Sequence, residues 1–159
     1  MHTTKMTPGN VLLAALMLTV PGLTQADPLQ GLTLHDTWVR EMPPVADRSA
    51  GYVRIENSGS SDRALIAAES ELFERVELHE SREGEDGTMR MIHHDQIALP
   101  AGETTALEPG GYHIMLIDRI GEPLSEADGD DVPIRLHFDN GESAEVEAPV
   151  RRHAPDNGH

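Results

Sequence analysis

The sequence contains no cysteine. That excludes disulfides, thiolate nucleophiles, blue-copper ligation and iron–sulfur clusters. Lysine is almost missing: Lys5 is the only one, and every later basic residue is arginine or histidine. Basic charge is scarce overall, with Lys+Arg 12 against Asp+Glu 28 and a formal net charge of −16. No basic patch can form from so few cations, so nucleic acid is not an expected partner. Aromatics are few, with one Trp, two Tyr and two Phe, so the core has to come mainly from Leu, Ile, Val and Ala. Catalytic signatures are missing as well. No Gly-rich phosphate loop opens a helix, and no G-x-S-x-G elbow occurs. The many carboxylates single out no acid–base pair and read as charged surface. The chain is therefore not expected to be an enzyme.

Long apolar runs are also lacking. The longest, residues 11–20 (VLLAALMLTV), is ten residues, whereas a spanning helix needs about 20. Lys5 precedes this run and Pro21-Gly22 breaks it. Thr24-Gln25-Ala26 then offers small residues before Asp27. Residues 1–26 thus read as a secretory signal peptide, cleaved near Ala26-Asp27 and directing the chain to the periplasm. No cysteine follows the run, so no lipid attachment or stable membrane insertion is expected there. Residues 27–151 read as a single domain. Residues 152–159, with Pro, Gly, Asn and charge but little that is apolar, read as a disordered tail.

Within the domain, short apolar runs recur between turn signals, as an all-β sandwich requires. Strands are expected over 32–41, 50–57, 64–69, 75–82, 88–94, 103–107, 112–118, 132–138 and 143–150. Residues 69–73 suggest one helical turn. In Tyr112-His113-Ile114-Met115-Leu116, Ile114 and Leu116 take the core face, which leaves His113 and Met115 together on the other.

Histidine and methionine carry the chemistry. Three of the four methionines after the leader, Met89, Met91 and Met115, sit close to histidines in strands. Thioether and imidazole together suit Cu(I) better than Zn, Ca or Mg. If Glu83 faces Gly87 across the 84–87 turn, the hairpin pairs His79 directly with Met91. His79 points away from core-facing Leu78, as His113 and Met115 do from theirs, which suggests an exposed surface site. Spacing alone leaves open whether these four form a site or are unrelated surface side chains.

His79, Met91 and His113-Ile114-Met115 also match a known pattern. The chain resembles the PCu(A)C family of periplasmic copper chaperones, whose hallmark is His, about ten residues, Met, 21 residues, then His-x-Met. Here the first gap, 80–90, is 11 residues and the second, 92–112, is 21. The added residue falls in the 84–87 turn, where insertion is tolerated. Val76-Glu77-Leu78-His79-Glu80, Met89-Arg90-Met91, Pro109-Gly110-Gly111-Tyr112-His113 and Trp38-Val39-Arg40 match too, so the likeness runs from Asp36 to Arg151.

The resemblance implies a cupredoxin-like (Greek-key) β-sandwich holding one Cu(I) by His79, Met91, His113 and Met115. It implies delivery towards the binuclear copper site of cytochrome c oxidase, to subunit II itself or through a thiol-bearing copper chaperone. Met89 and His93 are second choices as ligands, and His93-His94 reads first as a solvated pair. His153 and His159 offer a tail site but read first as an untied terminus. Trp38 is assigned to the core or rim and Met42 to packing. A monomer is expected from the acidity.

Overall fold

The computed structural model describes residues 29–155. The expected signal peptide and residues 156–159 of the expected tail lie outside the described residues. Ten strands make up the fold: β1 (Leu32–Arg40), β2 (Arg48–Asn57), β3 (Arg63–Glu69), β4 (Phe73–Glu83), β5 (Met89–His94), β6 (Ile97–Leu99), β7 (Thr104–Leu107), β8 (Tyr112–Arg119), β9 (Asp131–Phe138) and β10 (Ser143–Arg151). They run in the order β5-β4-β8-β7-β2-β1-β10-β9-β3-β6, with β8 also pairing β2. The ladder folds over at β1 and β10, which pair in parallel through Val39↔Val150 and Arg40↔Arg151. The result is the expected all-β, cupredoxin-like sandwich, with no helix among the described residues.

The strands form where apolar residues alternate. In β9, Val132, Ile134, Leu136 and Phe138 are all fully buried while their neighbours point outward. The same period puts Leu78 of β4 and Ile114 and Leu116 of β8 into the core. Each such side chain contributes roughly 1.5–3 kcal/mol. In β1 the alternation changes phase. The register slips between His35 and Trp38, at a bulge where Asp36 adopts φ 51°. Val39 therefore enters the core, and Trp38 turns to the opposite face. There it lies 4.5 Å from the Tyr52 ring, centroid to centroid. Met42 packs in the core, as expected.

Three expectations need correction. In place of a helical turn over 69–73, residues 70–72 form the turn between β3 and β4, closed by Phe73 N–H donating to Ser70 O at 3.3 Å. β6 was not anticipated: its three residues pair with β3. The β4–β5 register is also shifted by two from the expected one, with Glu83 opposite Met89 and His79 opposite His93. The hairpin turn accounts for that shift. Gly84 N–H donates to Thr88 O at 2.8 Å and Gly87 N–H to Gly84 O at 2.9 Å. Asp86 Oδ1 accepts from the Thr88 hydroxyl at 2.7 Å. Gly87 takes φ 75°, which suits glycine inside a turn better than in a strand.

Asn57, at the end of β2, ties the loop before β3 to the end of β6. Its Nδ2 donates to Ser61 O at 2.9 Å and Leu99 O at 2.8 Å, while Oδ1 accepts from Gly59 N–H at 3.0 Å. It is 1% exposed. Asn57→Ala strands these groups, so urea unfolding is expected to show a loss of about 1–3 kcal/mol. No loss would mean that water replaces the amide.

Candidate metal centre

The site lies on the face of β5, β4 and β8 turned away from the core. Paired residues share a face, so the register writes out its contents. Met91 stands opposite Ser81, and His79 is flanked by His93 on one side and His113 on the other. Glu77 stands opposite Met115. The two-residue register shift preserves the face, so His79 and Met91 remain on one side as diagonal rather than direct neighbours.

His113 is not the exposed ligand that was expected. It is 4% exposed and lines a recess with Met91, Met115, Ser49 and Tyr52. The change of phase at the β1 bulge explains part of this, since it sets the Trp38–Tyr52 pair on the site's side of the sheet. His113 Nδ1 lies 3.1 Å from Gly111 O. A carbonyl only accepts, so Nδ1 carries the proton and Nε2 presents a lone pair. That lone pair faces Met91 Sδ at 3.1 Å. Two acceptors so placed do not satisfy each other. Donors that share one ion at bond lengths of about 2.0–2.3 Å lie about 3–4 Å apart.

His79 repeats the pattern. Its Nε2 is 2.8 Å from Glu77 Oε2, so the carboxylate accepts from Nε2–H. Its Nδ1 is buried and has no hydrogen-bond partner among the described residues. A carboxylate that fixes the far nitrogen of an imidazole leaves the near one as a ligand. The donor set therefore fits a soft monovalent ion: two imidazole lone pairs and two neutral thioethers. The sequence marks Glu77 only as surface charge, although it stands two residues before His79 within the matched segment Val76-Glu77-Leu78-His79-Glu80. His79 above all, through its hydrogen bond, and the charges of Arg75 and His93 hold Glu77 below the usual carboxylate range, against a smaller opposing effect of burial.

The second choices fall apart from one another. Met89 is 61% exposed and two pairs nearer the turn, opposite Glu83. His93 is exposed and His94 half-buried, on opposite faces of β5. His93 Nδ1 is 4.0 Å from Glu77 Oε2 on the site face, while His94 Nε2 meets Glu80 at 2.9 Å. His153 is exposed, and His159 lies outside the described residues.

Burial pushes the His113 imidazole below its ordinary value, assisted by His79 and opposed by the bond to Gly111. The unfolded chain therefore takes up this proton first as pH falls. The stability linked to neutral His113 is fully present above 6.5 and is lost as pH drops towards the lower folded value. An NMR titration of the metal-free protein should place the His113 midpoint below 6.5, whereas a midpoint at or above it would mean a hydrated ring.

The model of the LpqE-like family, described as Putative lipoprotein LpqE-like, matches residues 32–150. The chain belongs to that family. A relative from Leifsonia xyli subsp. xyli, described as Putative lipoprotein Lxx21020, is 26% identical to this LpqE-like chain over 137 residues, covering 86% of the chain and 80% of the relative. Among solved structures, the apo PCuAC domain from PmoF1 superposes with a TM-score of 0.66 at 20% identity, covering 77% of this chain and 95% of that one. The copper-bound PCuAC domain from PmoF2 gives 0.63 at 21% identity, covering 77% and 94%. Copper(I)-bound DR1885 from Deinococcus radiodurans gives 0.57 at 27% identity, covering 82% and 83%. The expected kinship with PCuAC domains is thus borne out in the fold.

Proposed function

We propose that this LpqE-like protein is a periplasmic Cu(I) carrier that holds one ion by Met91, His113, Met115 and His79. The observation that carries the reading is the 3.1 Å approach of His113 Nε2 to Met91 Sδ, with Nδ1 tied to Gly111 O. Met115 lines the same recess, and the orphaned Nδ1 of His79 completes two nitrogen and two sulfur donors. Copper-bound relatives of the same fold support the choice of metal. Met91 is preferred to Met89 because its sulfur, not that of Met89, meets His113. The lipoprotein description of the family fits an envelope location.

A carrier needs an ion held tightly enough to select it and openly enough to release it. Neutral soft donors select Cu(I) over hard ions without deprotonation. Met91 is 54% exposed and can swing away first, passing the ion ligand by ligand to an acceptor. No thiol is present to reduce that acceptor. The acceptor we infer is the binuclear copper site of cytochrome c oxidase subunit II, reached directly or through a thiol-bearing chaperone. Mixing the Cu(I)-loaded protein with a subunit II copper-domain fragment, then separating the two, tests this. Copper recovered on the fragment is expected. Copper retained by the carrier would make it a buffer instead.

A further inference from the structure

Beside the soft site, the same face carries donors of a different kind. Glu77, His79 and His93 each present a ligand atom, all within 4.8 Å of one another. We propose that they form a second metal site, for a divalent borderline cation such as Cu(II) or Zn(II).

The three side chains are already arranged around one oxygen. Glu77 divides its carboxylate: Oε1 meets Arg75 Nη1 at 3.3 Å, and Oε2 is left to the two imidazoles. His79 Nε2 lies 2.8 Å from Oε2 and His93 Nδ1 lies 4.0 Å from it. The far nitrogen of His93, Nε2, is 3.6 Å from Asp95 Oδ1, so a carboxylate backs the ring on its other side. The His79 and His93 rings meet edge to face, 5.4 Å between centroids. Two imidazoles and a carboxylate suit Zn(II) and Cu(II), with Cu(II) favoured in intrinsic affinity, and poorly suit Cu(I). The site is open to entry, because β5 is the outermost strand and the His93 side chain is 56% exposed.

His79 links the two sites. A neutral imidazole has one lone pair. With the proton on Nε2 and donated to Glu77, Nδ1 is the free ligand. With the proton on Nδ1, Nε2 can join Glu77 and His93 around a divalent ion. One ring cannot serve both metals at once, so filling either site removes a ligand from the other. By linkage, the antagonism is reciprocal. This exclusion rests on the copper(I) reading above. The divalent site does not.

The test is titration of the full-length metal-free protein with Zn(II) by calorimetry and with Cu(II) by EPR. Wild type, His93→Ala, Glu77→Gln, His113→Ala and a chain truncated after Arg151 are compared, with Cu(I) titrated in parallel under reducing, anaerobic conditions. One divalent equivalent with nitrogen hyperfine coupling is expected in wild type. His93→Ala and Glu77→Gln should each weaken it by at least about tenfold. His113→Ala and the truncation should leave it intact. His93→Ala should still take one Cu(I), which separates failure of this site from failure of the carrier reading. Divalent binding that survives both His93→Ala and Glu77→Gln overturns the proposal. So does binding lost with the tail, or binding lost in His113→Ala alone.

Discussion

His113→Ala combined with Met115→Leu is expected to abolish tight Cu(I) binding. In a competition titration under reducing, anaerobic conditions, the parent should take one tight equivalent. The variant should be weaker by more than about 100-fold, since losing a mere outer-shell partner of a ligand commonly costs 10–100-fold. The expectation follows from two contacts. Nε2 of His113 has no proton to give and faces a sulfur, and Met115 lines the same recess. Met115→Leu nearly conserves volume, so it removes a donor with little repacking. His113→Ala leaves a gap beside Tyr52, so apo melting curves of parent and variant belong beside the titration. Copper binding unchanged in a folded variant would sink the carrier reading. A parent that binds no Cu(I) would leave the face to its carboxylate and the two other histidines.

The second large effect concerns the core beneath that face. Leu116 is fully buried on β8, on the core face opposite His113 and Met115. Its partners are Ser49 of β2 and Val76 of β4, so it sits in the interior of the sheet. Leu116→Ala should lower unfolding stability by about 2–5 kcal/mol, depending on how far the cavity collapses. Urea denaturation of the apo protein reads this directly. Stoichiometric Cu(I) should restore part of the loss, because an ion at about a hundredfold its dissociation constant adds about 2.7 kcal/mol to the state that binds it. A loss below 1 kcal/mol would show that neighbouring side chains fill the space.

Much of this was legible in the sequence because alternation reports burial directly. Val132, Ile134, Leu136 and Phe138 declare a strand, and so do His113 to Leu116. The His and Met spacing puts His79 and Met91 on one face, and they stay on one face although the register differs by two, since a shift of two returns every side chain to its own side. What the sequence did not disclose depended on local backbone geometry. The hairpin turn takes in Gly87 and Thr88, which moves His93 opposite His79. β6 is three residues long, too short for an alternating pattern to stand out. The depth of His113 depends on Trp38 and Tyr52 lying on its side of the sheet, and Trp38 is there because of a bulge at Asp36. Glu77 resembled any other carboxylate in a chain with 28 acidic residues. Only the closeness of its oxygen to two imidazoles, 2.8 Å and 4.0 Å, distinguishes it.

The parallel pairing of β1 with β10 has a consequence for how the molecule is made. The first strand of the fold finds one of its neighbours only in the last, nearly the whole described chain away. Closing so long a loop before any contact rewards it slows folding, and sandwiches built this way typically fold over milliseconds to seconds. Until residue 151 is free of whatever machinery delivers the chain, Val39 has no Val150 to meet and the sandwich stays open. The β4–β5–β8 platform, by contrast, is assembled from strands close in sequence. Its histidines and methionines can therefore come together while the rest of the protein is still arriving.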